Sequence, residues 1–385
     1  MALEVLRSIR RGGTTPLAPA NSLHPGSPQR LKGLRVIVAG SGAVGQVAAL
    51  KLLDEGAEVR LFDPAPLGAN ASGVAAGMLA PAFEAVLDPL AAGHFGLLKA
   101  ALGLWPALVE RAGVKLDRSG ALWAGDETSN ASMLARLGEA GAAAEMAGAA
   151  QAGRLSPGLQ ASAGAVFTPE DWTLDPGQAL AALRRAFEAA GGAVGAKAVT
   201  SWDGGAMADA LVLAAGLAAE GLVAAPPELE RLRPIKGQIV QLAAEAPRSG
   251  PVARGEGIYV VPRGAGPVAG ATMQAGVRDL GIDPAATEAL RAAAGRLYPA
   301  LARAPASGRA GVRASTPDGL PLVGRSSAPG AWLAMGMRRN GWLLAPMVAE
   351  VIADQLAGGD GGRWAPLLDP ARFWTSRIRP GTSRL

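Results

Sequence analysis

The stretch from Leu34 to Asp63, LRVIVAGSGAVGQVAALKLLDEGAEVRLFD, restricts the fold of this chain more than any other. The apolar run Val36–Ala39 reads as a buried parallel strand. It leads directly into Gly40-Ser41-Gly42-Ala43-Val44-Gly45. Beyond that turn Val44, Ala48 and Leu52 fall on one helical face, and Gly56 supplies a C-terminal stop. Glu58–Phe62 reads as a second strand and delivers Asp63. Three glycines at this spacing between strand and helix, closed by an acid, predict a dinucleotide-binding βαβ unit. Gly40 permits the tight turn, Gly42 lets backbone approach a pyrophosphate, and Gly45 lets helix pack on strand. The helix N-terminus offers N–H groups and the positive end of its dipole to phosphates. Asp63 can accept from ribose hydroxyls, and its charge disfavours a 2′-phosphate.

This fingerprint alone leaves NAD and FAD open. The next segment, Ala71–Pro81 (ASGVAAGMLAP), is small, apolar and free of charge. It reads either as a helix start in an alanine-rich core or as backbone lying close to a flat ring. It resembles the flavin-contacting segment of the FAD-dependent D-amino-acid oxidase superfamily, particularly its glycine oxidase branch. Further blocks follow in that family's order: Ala208–Gly216 (ADALVLAAG), Arg233–Leu242 (RPIKGQIVQL), Ile258–Met273 (IYVVPRGAGPVAGATM), Gly311–Gly324 (GVRASTPDGLPLVG) and Gly336–Pro346 (GMRRNGWLLAP). The resemblance runs over about residues 33–375.

The resemblance implies an α/β fold. A Rossmann-like FAD-binding domain (33–85, 166–225 and 311–375) is interleaved with an α+β substrate domain (86–165 and 226–310) built on an antiparallel sheet. Alternating patterns at Gln238–Leu242 and Ile258–Val261 agree with that sheet. Leu97, Leu98, Ala101, Leu102 and Leu104 carry helical spacing within 86–165. Asp175-Pro176 opens a helical run, Gly177–Ala190, and a short strand is expected at Ala196–Ser201. Residues 1–32, with scattered Pro, Gly and Arg, read as a flexible extension, and 376–385 as a tail.

By the same resemblance the cofactor is FAD. Its contacts fall on Gly40, Gly42, Ala43, Val44, Gly45, Asp63, Ser72, Ala76, Gly77, Met78, Val199 and Gly216, and on Met337, Arg338, Arg339, Asn340, Gly341, Trp342 and Leu343. Arg313 and Tyr259 match the family residues that hold the substrate carboxylate, a task suited to a planar guanidinium. Arg339 and Met273 match pocket residues. Taken singly, each of these also reads as an ordinary surface arginine, sheet aromatic or core methionine. Hydride leaves a neutral amine, so no side-chain acid or base is required, which suits a chain with two histidines. The implied reaction is oxidation of a small amino acid, glycine first, to the imine, with O2 reduced to H2O2 and the imine hydrolysed to glyoxylate and ammonia. The imine can also feed thiazole assembly in thiamine biosynthesis. A D-amino acid oxidase, a sarcosine-type oxidase, a quinone-linked dehydrogenase and a non-catalytic flavoprotein are the alternatives. Where the branch commonly carries an aromatic and a proline, this chain has Arg338 and Ala314. Arg338 is expected either to point into solvent or to reach the pocket mouth, where it would favour acidic D-amino acids.

Composition narrows the rest. Nearly half the residues are hydrophobic and 18% are charged, as in globular rather than disordered chains. No apolar run reaches the ~18 residues of a spanning helix. The excess of 37 basic over 32 acidic residues is arginine dispersed along the chain, without the clustering of a nucleic-acid surface. There is no cysteine, so disulfides, thiolate metal sites and cysteinyl flavin are excluded, and the FAD is expected to be non-covalent. His24 and His94 have no metal-ligand spacing, and no metal is expected. The N-terminal residues lack the apolar centre of a secretory signal, and a cytoplasmic protein is expected, with a homo-oligomer left open.

Overall fold

In this computed structural model the described residues are 29–375, apart from 203–204, 206, 218–221, 223–224 and 245–246. The first strand, Arg35–Ala39, is buried at four of its five positions. It pairs in parallel with Glu58–Phe62 on one side and Ala210–Leu213 on the other. The sheet extends outward to Ala193–Gly195 at one edge. At the other edge it takes in Ala331–Met335 and then the antiparallel Leu322–Arg325. Helix Ala43–Asp54 crosses between the first two strands and ends before Gly56, whose φ of +96° only glycine adopts without strain. It packs with Pro176–Ala189 and Gly341–Leu356 in one apolar core. Asp175 caps the second of these helices, its side chain accepting from the Gln178 N–H at 2.9 Å.

The strand expected at Ala196–Ser201 lies earlier, at Ala193–Gly195. The register explains the shift. Phe62, the last residue of the neighbouring strand, pairs with Gly195, so residues beyond it have no ladder to join. Val199 sits half-buried in the loop that follows, packed on the cluster around Ile37 and Leu211.

Among the described residues the second sheet has nine strands. Its centre is Arg233–Leu242, Val268–Gly270, Ile258–Val261 and Val252–Gly255, antiparallel throughout. Ala306–Ser315 pairs with Arg233–Leu242 along its whole length. Ala121–Trp123, Ala165–Thr168 and Glu145–Ala147 extend the sheet, the first of them parallel to Val252–Gly255. Helical spacing therefore described only part of 86–165. Helices Phe95–Leu102 and Trp105–Ala112 pack into the core of the first sheet, while later in that stretch helices Glu127–Glu139 and Ala149–Leu155 alternate with strands of the second. The expected division at 310/311 falls inside strand Ala306–Ser315. Of the expected N-terminal extension, Leu31 is buried, and Arg30 pairs with Glu55 at 2.8 Å and Asp354 at 2.9 Å. Residues 1–28 and the 376–385 tail lie outside the described residues. Among the described residues no helix is long and apolar enough to cross a membrane.

Candidate active site

The glycine turn is built where side chains cannot fit. Gly40 has φ +104°, and a Cβ there would stand 2.6 Å from the Ala214 carbonyl oxygen. A Cβ on Gly45 would meet the Gly40 carbonyl oxygen at 1.8 Å, and one on Gly42 would lie 2.9 Å from Ser72 Oγ. Ser72 Oγ accepts from the Ala43 N–H at 3.0 Å, tying segment 71–80 to the start of the first helix. Trp342 Nε1 donates to the Ser72 carbonyl at 3.1 Å, which brings in the start of helix Gly341–Leu356. Asp63, at the end of the second strand, accepts from the N–H groups of Ser41 at 2.7 Å and Ala65 at 2.9 Å. Gly216, at φ +61°, closes the turn after Ala210–Leu213. The turn, the acid, segment 71–80 and the 337–343 loop, with Met337 packed against the same core, thus meet at the carboxyl ends of the parallel strands of the first sheet. This cradle, with glycine at the three tightest positions of its turn, suits a dinucleotide pyrophosphate and ribose.

Between these strand ends and the second sheet lies a cavity of about 370 Å3. Ala76, Gly77 and Met78 line it together with Arg339, Asn340 and Trp342, and Tyr259 and Arg313 reach in from the second sheet. Two glycines make room for them. Gly270 lies directly across from Tyr259 in the sheet, and a Cβ there would stand 2.6 Å from the tyrosine hydroxyl. A Cβ on Gly237 would stand 2.2 Å from Arg313 Nη1. The Tyr259 hydroxyl and the Arg313 guanidinium therefore approach over a floor of bare backbone. Burial raises the Tyr259 pKa, opposed by Arg313 and Arg339. Burial likewise lowers that of Arg313. Arg313 Nη1 is buried without a hydrogen-bond partner, and no carboxylate lies within ion-pair distance of this side chain among the described residues. Arg339, by contrast, is paired, its Nη2 donating to Glu84 Oε1 at 2.9 Å, with Nη1 3.7 Å from Met273 Sδ. Met273 lines the outer part of the cavity and is 42% exposed.

Arg338 does neither of the things expected of it. It has a φ of +51°, uncommon for a residue with a side chain, and its N–H donates to the Ala314 carbonyl at 2.8 Å. Its guanidinium pairs with buried Asp88, away from the cavity, which Arg339 faces.

Sequence reasoning missed Arg254, Glu84, Trp123 and Asp171. Arg254 lines the cavity at 2% exposure, with Nη2 3.3 Å from Met78 Sδ and its guanidinium 5.1 Å from the Phe83 ring centre. Glu84 and Phe83 belong to helix Pro81–Leu87, whose first N–H groups are accepted by Asp171 from Ala82 at 2.8 Å and Phe83 at 3.3 Å. Burial, opposed by Arg254, pushes Asp171 up to about 7. The one available signal was an arginine inside the otherwise uncharged strand Val252–Gly255. A wider depression of about 690 Å3, open to solvent and lined by Ile282, Thr287 and Arg291, shares no residue with this site.

A family model described as FAD dependent oxidoreductase (DAO) matches residues 35–355. The chain is 31% identical over 388 residues to the tRNA 5-methylaminomethyl-2-thiouridine biosynthesis bifunctional protein of Caulobacter sp. strain K31, covering 95% of this chain and 61% of that protein. It is 34% identical over 169 residues to glycine oxidase of Pseudomonas aeruginosa, covering 43% of this chain and 45% of that protein. The chain thus spans less than two thirds of the length of either relative. The crystal structure of glycine oxidase from Geobacillus kaustophilus superposes with a TM-score of 0.76 at 26% identity, over 88% of this chain and 99% of that one.

Proposed function

From the premise that this chain belongs to the DAO family of FAD-dependent oxidoreductases, we propose that it oxidises a small amino acid, glycine foremost, at the carbon bearing the amine. The FAD would be held non-covalently by the Gly40–Gly45 turn, Asp63, Ser72, segment Ala76–Met78, Val199, Gly216 and the 337–343 loop. Bound FAD supplies the acceptor for two electrons. The amine becomes an imine, O2 carries the electron pair away as H2O2, and water converts the free imine to glyoxylate and ammonia.

The protein's part is binding and orientation. Arg313 accepts the substrate carboxylate in its planar fork, and the Tyr259 hydroxyl donates a further hydrogen bond. Arg339, its charge balanced by Glu84, fixes one more guanidinium at the cavity, and Trp342 and Met78 exclude water from its inner end. The observation that carries this reading is the buried Arg313 Nη1 without a partner, facing a cavity it shares with Tyr259 and segment 75–80. A guanidinium in that position is a preformed carboxylate site, because its desolvation has occurred in folding.

The test is anaerobic titration of the yellow holoprotein with glycine, sarcosine, D-alanine, D-glutamate and D-proline, followed by admission of air. Bleaching by at least one of these, then stoichiometric H2O2, is the expected result. Flavin that stays oxidised with all five overturns the reading, and bleaching without H2O2 makes the protein a dehydrogenase.

A further inference from the structure

We propose that Arg254 forms a second anion-binding position in the active-site cavity, so that amines carrying two carboxylates, one at Arg313 and the other at Arg254, are preferred to glycine. This rests on the amino-acid-oxidase reading and makes it more specific.

Three observations carry the inference. Arg254 lies in a strand whose four residues are all buried, yet it lines the cavity rather than the core. Its Nε is buried without a hydrogen-bond partner, and among the described residues no carboxylate stands within ion-pair distance of its side chain. Its polar neighbour is a thioether, Met78 Sδ, a weak acceptor. A structural arginine buried this deeply is ordinarily held by a carboxylate, because an unpaired buried charge is costly.

The placement relative to Arg313 is the second link. Arg254 sits directly across the sheet from Tyr259. Arg313 reaches toward the same tyrosine from the other side, over Gly237. In strand order the two arginines thus lie on either side of Tyr259, and both line one cavity.

Charge is the third. Of the three arginines that line the cavity, Arg339 is neutralised by Glu84 at 2.9 Å. Asp171 also interacts electrostatically with Arg254, but its two oxygens accept from the Ala82 and Phe83 N–H groups. Burial also keeps it partly protonated near neutrality. Glycine brings one carboxylate and leaves Arg254 unsatisfied, whereas a dicarboxylate pairs both cations. Arginine keeps its charge even when buried, so the site does not escape the need for an anion by titrating.

The experiment compares holoenzyme with Arg254→Leu and Arg254→Lys. One measurement is kcat/KM for D-aspartate, D-glutamate and N-carboxymethylglycine, each divided by that for glycine. The other, independent of turnover, is the Kd of succinate and of acetate from perturbation of the flavin absorbance. Wild type should bind succinate at least tenfold more tightly than acetate and favour at least one dicarboxylic amine. Arg254→Leu should lower both ratios by tenfold or more, and Arg254→Lys should restore part of the loss. Equal affinity for succinate and acetate in wild type, or equal loss of both in Arg254→Leu, overturns the proposal. If Arg254→Leu does not fold, the wild-type ratios and Arg254→Lys decide it. Should no amine bleach the flavin while succinate still binds through Arg254, the oxidase reading fails and the anion site stands. Bleaching by glycine without any dicarboxylate preference sinks the anion site alone.

Discussion

Gly237→Ala displaces the proposed substrate anchor, Arg313, without removing it. A methyl at position 237 would stand 2.2 Å from Arg313 Nη1, 2.4 Å from Nη2 and 2.5 Å from Cζ. Ordinary contact begins near 3.4 Å, so the guanidinium has to move by about 1 Å. A misplacement of that size costs on the order of 100-fold in rate, or about 2.7 kcal/mol of transition-state stabilisation. Position 237 is in mid-strand and not in the left-handed region, so the backbone tolerates alanine. Alanine is also favoured over glycine there by about 0.5–1 kcal/mol. Activity and stability should therefore move in opposite directions. The assay is steady-state kcat/KM for the best amino acid, with flavin content and Tm measured on the same preparation. A hundredfold loss with full flavin content and an unchanged or slightly raised Tm is expected. Wild-type kcat/KM, or loss of flavin and Tm in step with activity, refutes the reasoning.

Three other perturbations separate binding, packing and protonation. Arg313→Ala should weaken substrate binding by about 2–5 kcal/mol, and Tyr259→Phe by about 0.5–1.5 kcal/mol, as read from KM and from acetate Kd, with FAD retained in both. Arg338→Ala leaves buried Asp88 without its partner and should destabilise the fold by about 3–5 kcal/mol in urea melts, while the D-glutamate-to-glycine ratio of kcat/KM stays at the wild-type value. Asp171, raised by burial from the usual 3.8 to about 7, holds a proton in the folded state that the unfolded chain releases. Its contribution is present in full below about pH 4 and is lost as pH rises through about 7, a total of about 4 kcal/mol that Asp171→Asn should remove from the pH dependence of unfolding.

The parts of this molecule that were legible in the sequence are those whose physics is local. The βαβ unit follows from apolar runs, glycines and an acid within thirty residues, and strand Glu58–Phe62 lies where the pattern put it. Helix Pro176–Ala189 carries its own N-cap in Asp175. Strand Ala193–Gly195 was misplaced because its extent is fixed by where Phe62 runs out, a partner more than 130 positions earlier. Arg338 was misjudged for a related reason. Nothing near it in sequence announces Asp88, and the positive φ that turns it away from Arg339 has no signature in the string RRN. Gly237 and Gly270 were two glycines among 53 until the structure set a guanidinium over one and a phenol over the other.

Arg254 escaped notice while Arg313 did not because Arg313 falls in a block that carries the family resemblance, Gly311–Gly324, and Arg254 falls in none. Each is an arginine within a strand, and neither makes an ion pair among the described residues. Folding alone does not favour either, since a buried guanidinium without a counter-ion opposes the hydrophobic gain of the strands around it. Local rules of propensity, pattern and pairing all argue against these residues where they stand. Such violations gather where a chain is shaped for a ligand rather than for its own stability. The cost incurred in folding becomes the gain on binding, because an anion arriving between these two cations meets groups already stripped of water and held in place. Arg339 and Arg338 mark the contrast. Each has an acid of its own, Glu84 and Asp88, and so each is satisfied before any ligand arrives. The unsatisfied pair, on either side of Tyr259, is therefore where the chemistry of the ligand has to be sought.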